Sequence, residues 1–244
     1  MQRVLIFFSV FFMIQFGEIK TVFSQKTDTS KKFIYPEIKK YGKALEDFSP
    51  KNWEITDTMS GDLNKDGVDD FALILEYRDS IKIKDGYKYP RVLLLVFKVR
   101  DHYELKLQHN TLIEREVTDE SGRTGTWDGD IFQNIAIVNG VIKLRFEWDI
   151  VGAGTIIQYV VRYQSNDFYL IGATYDSGYR ADVKNASFNF STKRYTYDEV
   201  DDESGFGGEY NEYHKKGKLP ASSLKKLIDI KYVGSWDILR AVSI

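Results

Sequence analysis

The sequence of 244 residues contains no cysteine. That excludes disulfides, thiol nucleophiles, thiolate metal sites and the lipobox cysteine of a lipid anchor. Histidine is nearly as scarce. His102, His109 and His214 form no HExxH motif and no i, i+4 pair, which leaves a zinc site little support. No G-x-S-x-G elbow, P-loop or GxGxxG stretch is present either. The formal net charge is only −2, without a polybasic stripe, so no nucleic-acid footprint is written into the chain. No apolar run reaches the ~20 residues a membrane-spanning helix needs.

What is present begins with a leader. Arg3 supplies a positive n-region and Val4–Phe16 an apolar h-region. Val22-Phe23-Ser24 precedes a cleavage point at Gln25, which predicts a signal peptide over 1–24 and export to the periplasm or cell exterior. Aromatic residues make up 15 % of the chain, a bias toward strands. The length suits one substantial core. The expected fold is mainly β, with antiparallel sheets built from consecutive hairpins and a short N-terminal helix. Residues 25–52 read as a polar tail and that helix, and 53–244 as a single β-rich domain.

The chemistry concentrates in SGDLNKDGVDDFALIL, Ser60–Leu75. A hard cation such as Ca2+ takes six to eight oxygens, which a short loop supplies when side chains at alternate positions converge. With Asp62 as the first position, Asn64, Asp66 and Asp70 fall at the third, fifth and ninth. Gly67 takes the sharp turn between them, and Val68 can offer its backbone carbonyl. The candidate ligands, at 61–70, are therefore Asp62, Asn64, Asp66, Val68 and Asp70. An EF-hand would place a bidentate Glu at the twelfth position, where this chain has Leu73, and the apolar exit FALILEY reads as a buried strand. The competing reading is a metal-free Asx-rich turn whose carboxylates cap backbone amides. Crowded carboxylates without a cation repel one another, which favours the cation.

Along the chain, Tyr35–Phe48 is expected as an amphipathic helix, with Ile38, Tyr41, Leu45 and Phe48 on one face. Arg91–Val99 is a continuous apolar run, as for a central strand covered on both faces. Glu104–His109 should return with Leu105 and Leu107 inward. Asn139-Gly140 signals a type I′ hairpin, pairing Val138 with Val141, Ile137 with Ile142 and Ile135 with Leu144. Gly152-Ala153-Gly154 reads as the next turn. A second hairpin is expected across Ser165-Asn166-Asp167 and a third between Ser187–Phe190 and Arg194–Tyr197, with Phe188 and Phe190 against Tyr195 and Tyr197. Asp198–Tyr213 reads as an acidic loop, Pro220–Ile230 as a short helix and Trp236–Val242 as a closing strand.

The loop resembles the calcium loop of FG-GAP/VCBS-type repeats, in which D-x-N-x-D-G-x-x-D precedes a strand. The single copy argues against a full propeller. Three blocks, SPKNWEITDTMSGDLNKDGVDD, DIFQNIAIVNGVIKLRF and VVRYQSNDFYLIGATYDS, together resemble a group of exported bacterial proteins of uncharacterised function. This resemblance implies export, a β-rich fold and metal residues at Asp62, Asn64, Asp66 and Asp70. It implies no activity.

Two functions are open at this point. One is a calcium-stabilised binding or structural module for an extracellular or envelope ligand. The other is a metal-assisted hydrolase of envelope or extracellular glycans or phosphoesters, for which Glu147 and Asp149 are the available carboxylate pair.

Overall fold

The computed structural model describes residues 33–83, 86–113, 115–117, 130–150, 153–179, 182–202, 210–220, 224–239 and 242–243. The expected leader and polar tail lie outside these residues. The described strands are β1 (Tyr41–Gly42), β2 (Trp53–Gly61), β3 (Asp70–Tyr77), β4 (Ile81–Ile83), β5 (Gly86–Tyr89), β6 (Arg91–Val99), β7 (His102–His109) and β8 (Arg115–Val117). They continue with β9 (Phe132–Val138), β10 (Val141–Ile150), β11 (Ala153–Gln164), β12 (Asp167–Tyr179), β13 (Asp182–Asn189), β14 (Arg194–Asp202), β15 (Tyr210–Lys218), β16 (Asp237–Leu239) and β17 (Val242–Ser243).

Two antiparallel sheets carry the fold. Sheet I has five strands in the order β1-β7-β6-β3-β2, and sheet II has seven in the order β15-β14-β13-β12-β11-β10-β9. In sheet I, β6 lies between β7 and β3, and Val92 through Val96 are fully buried. Its two faces serve two cores, as a continuous apolar run requires. Ile74, Leu93, Leu95 and Leu107 share one core with Leu144, Phe146, Tyr159 and Phe188 of sheet II. Leu73, Leu75, Leu94 and Val96 face the other way, into a second core closed by Ile38, Phe48 and Trp53.

Sheet II is a run of consecutive hairpins. Asn139 and Gly140 have φ of 53° and 73°, the pair of positive values a type I′ turn needs, and the expected register is observed. The next tight turn also has two central residues, Ser165 and Asn166, at φ 50° and 62°. Asp167 already pairs with Gln164. Phe188 faces Tyr195, but Tyr197 faces Ala186, so the third hairpin sets one phenylalanine and one alanine against the two tyrosines.

Several expectations are corrected. Tyr35–Phe48 forms no α-helix; its one helical element is a 3-10 turn at Leu45–Phe48. The segment is extended because Gln108 satisfies its backbone: the Ile38 N–H donates to Gln108 Oε1 at 3.2 Å, and Gln108 Nε2 donates to the Pro36 carbonyl at 2.8 Å. Ile38 and Phe48 then reach the second core without a helix. Leu105 and Leu107 do not share a face. A register shift between Leu95 and Val96 pairs Leu95 with Leu107 and Val96 with Leu105, which sends the two leucines to opposite cores.

Ala153 and Gly154 belong to β11, facing Ile150 and Asp149, while Gly152 lies outside the described residues. The acidic stretch is not all loop, since Asp198–Asp202 extend β14 and Tyr210–Tyr213 open β15. Cross-strand partners offset its charge: Lys184 Nζ lies 3.2 Å from Glu199, and His214 Nδ1 lies 2.7 Å from Asp198. Toward the C-terminus the expected helix is reduced to a 3-10 turn at Leu227–Asp229, and the closing strand is the short ribbon of β16 and β17.

Candidate metal-binding loop

The loop of interest is the connection between β2 and β3, whose strands meet at the Gly61–Asp70 pair. Leu63, the second residue of the loop, is buried and joins the core between the sheets. It pins an otherwise polar segment to the protein. Lys65 and Gly67 adopt φ of 66° and 86°, and these two left-handed residues fold the loop back on itself.

The carboxylates are turned inward onto loop amides. Asp62 Oδ1 accepts from Lys65 N at 2.6 Å and from Asp66 N at 3.2 Å, and its Oδ2 accepts from Gly67 N at 2.9 Å. Asn64 Oδ1 accepts from Asp66 N at 2.8 Å, while its amide donates to Asp66 Oδ2 at 2.9 Å. Asp66 Oδ1 accepts from Val68 N at 2.8 Å. This is the Asx-turn arrangement weighed against the cation reading, and it satisfies amides that an irregular loop would leave unpaired.

Asp70 differs from the other three. It is fully buried at the first position of β3. Its Oδ2 accepts from Leu63 N at 3.1 Å and Asn64 N at 3.3 Å, and its Oδ1 accepts from Lys98 N at 3.2 Å. One carboxylate thus ties the loop to the end of β6. Burial pushes its pKa up to about 6; the three amide donors and Asp66 act on it more weakly. The loop also leans on sheet II. A Cβ at Gly61 would stand 2.5 Å from Ile137 Cγ2, and one at Gly140 would stand 3.3 Å from the Asp62 carbonyl oxygen. The Asn139-Gly140 turn and Ile137 therefore line a shallow recess with Gly61, Asp62 and Lys65.

The structure thus brings Asp62, Asn64 and Asp66 into one self-bonded loop, places Asp70 beneath it, and leaves Val68 exposed. Among the described residues, no group of three or more His, Cys, Asp or Glu side chains is drawn together to hold a metal ion. The donor chemistry nevertheless fits a hard cation. The set offers only oxygens, and no Lys or Arg side chain pairs with Asp62, Asp66 or Asp70 among the described residues. Asp62 Oδ1 and Asp70 Oδ2 each accept two amides, whereas Asp62 Oδ2, both Asp66 oxygens and Asp70 Oδ1 accept one bond each and keep a second lone pair.

Sequence reasoning did not anticipate Leu63, the Lys98 amide or Gly140. The lone leucine inside a polar loop was the available signal for the first; the other two depend on strand pairing across long separations. The alternative carboxylate pair is accounted for locally: Glu147 is bound by Arg145 at 2.8 Å, and Asp149 is exposed. His109 is buried, and its Nε2 lies 2.8 Å from the Ile230 carbonyl, tying the 3-10 turn at Leu227–Asp229 to β7. Neither a family model, nor a curated protein, nor a solved structure matches the chain.

Proposed function

We propose that this chain is an exported β domain that takes one Ca2+ in the Asp62–Asp70 loop and works as a binding or structural module. The observation that carries the reading is Asp70. A buried carboxylate with a raised pKa, no basic side-chain partner and a neighbouring Asp66 is a negative site that its three amide donors offset only in part, and a bound cation would complete the compensation. Asp62, Asn64, Asp66 and Asp70, with the Val68 carbonyl, would hold the ion; the ion would neutralise the loop and fix the β2–β3 connection to β6. The leader expected over 1–24 would direct the chain out of the cytoplasm, into surroundings where calcium reaches the millimolar range that saturates weak loop sites.

Calorimetric titration of the full chain with Ca2+ tests this. The expected result is one site per chain, lost in Asp66→Ala, whose side chain is exposed and carries no core packing. Equal heats for the two proteins would dismiss the site.

A further inference from the structure

The two edges of sheet II are treated differently. At one end, β9 lies against the β2 end of sheet I, where Ile137 meets Gly61. At the other end, β15 pairs with β14 alone among the described residues. It is nine residues long, YNEYHKKGK, and all but one of them are exposed. Natural edge strands are usually short, bulged, covered or lined with charged side chains, because an open edge presents a row of unpaired backbone groups to any other strand; of these β15 has, among the described residues, only the charges, Glu212, Lys215, Lys216 and Lys218. No register shift interrupts the β14–β15 ladder.

The ladder's phase fixes which groups face outward. Leu219 N donates to the Lys193 carbonyl at 2.9 Å, in register with the Arg194–Lys218 pair. Hydrogen-bonded pairs alternate in an antiparallel ladder, so the odd-numbered residues of β15 spend their amides and carbonyls on β14. Tyr210, Glu212, His214, Lys216 and Lys218 therefore direct theirs outward.

Charge is distributed along this edge in a self-complementary way. The acid and the tyrosines lie in the first half and the lysines in the second. A second β15 laid antiparallel about a two-fold axis through His214 opposes outward residues only to outward residues. Glu212 then faces the second copy's Lys216, and Tyr210 its Lys218. On the other face of the ribbon, Tyr213, which is 68 % exposed, lies opposite Lys215 of the second copy. Each His214 at the axis is held by its own Asp198 at 2.7 Å and lies 3.6 Å from its own Glu212, which balances charge there and leaves Glu212 free to reach across to Lys216 as well.

We propose that β15 is a homodimerisation edge, pairing antiparallel with β15 of a second copy so that sheet II continues across the two-fold axis. Such an interface is isologous, and backbone hydrogen bonds supply the affinity while side-chain pairs fix the register.

The test is sedimentation velocity of the full chain at pH 7.5 over a wide concentration range. The native sequence is expected to form dimers. Glu212→Lys and Lys216→Glu each set like charges opposite one another twice per dimer, and each should weaken dimerisation by about tenfold or more. The double variant Glu212→Lys/Lys216→Glu restores both pairs and should dimerise like the native chain. An equimolar mixture of the two single variants should form heterodimers. All these side chains are exposed, so folding is not at stake. A native chain monomeric throughout, single variants that dimerise unchanged, or a double variant no better than the singles would each overturn the proposal.

Discussion

Asp70→Asn keeps the shape of the buried side chain and removes its ability to titrate. In the native chain without a cation, the Asp70 pKa rises from an ordinary 3.8 to about 6 on folding. The folded state therefore binds this proton more tightly than the unfolded state. The resulting stabilisation is complete below pH ~3.8 and is lost as pH rises through about 6. The separation of the two pKa values corresponds to about 3 kcal/mol at 1.36 kcal/mol per pKa unit. The asparagine of the Asp70→Asn variant is not titratable. Its cost, a side-chain amide donor facing one of the amides of Leu63, Asn64 or Lys98, is the same at every pH. Other titrating groups cancel in the difference between the two proteins. Urea unfolding in chelator should therefore show the native chain losing about 2.4 kcal/mol relative to Asp70→Asn between pH 4 and pH 7.5, the rest of the difference having gone by pH 4. Saturating Ca2+ should remove that loss in the native chain. Parallel stability profiles in chelator would rule this out, because the Asp70 pKa would then be the same in the folded and unfolded chains and burial would cost its charge nothing.

Two further outcomes follow from the packing. Gly61→Ala should cost about 1–3 kcal/mol in chemical denaturation, because the added Cβ meets Ile137 Cγ2 at 2.5 Å. Combining it with Ile137→Ala should cost less than the sum of the two, and strict additivity would contradict the close approach. His109→Ala should cost about 2–4 kcal/mol by guanidinium unfolding, since it opens a cavity at a buried position and leaves the Ile230 carbonyl unpaired. An unchanged midpoint would show that the C-terminal 3-10 turn is not held there.

What the sequence disclosed was local. The Asn139-Gly140 hairpin was legible to the residue pair, because a type I′ turn sets register through its own dihedral angles. Arg91–Val99 was legible as a central strand because a strand buried on both faces cannot alternate. The loop was legible in its residue types, with Asx side chains at alternate positions around Gly67, although those types fit both a capped turn and a cation site. Partners far away in sequence decided the rest. Gln108, about 70 residues away, and the β1–β7 pairing turned the first part of a helical apolar pattern, Tyr35–Gly42, into extended chain. A bulge opposite Leu95 and Val96 put Leu105 and Leu107 on opposite faces. Lys184 and His214 made strand out of acidic residues that in isolation read as solvated loop. The depth of Asp70 depends on the Lys98 amide of a strand that pairs with it only in the assembled sheet.

If the Asp62–Asp70 loop takes calcium, the ion holds β2, β3 and β6 together and must show itself in stability. The most direct test is the thermal unfolding of the native chain and of Asp66→Ala in Ca2+, in Mg2+ and in EDTA. A Ca2+-selective gain of about 3 kcal/mol is expected at a hundredfold excess over Kd, present in the native chain and absent in Asp66→Ala. Native melting curves that coincide in all three conditions would contradict calcium binding by the loop, and would leave the four side chains as caps on a turn.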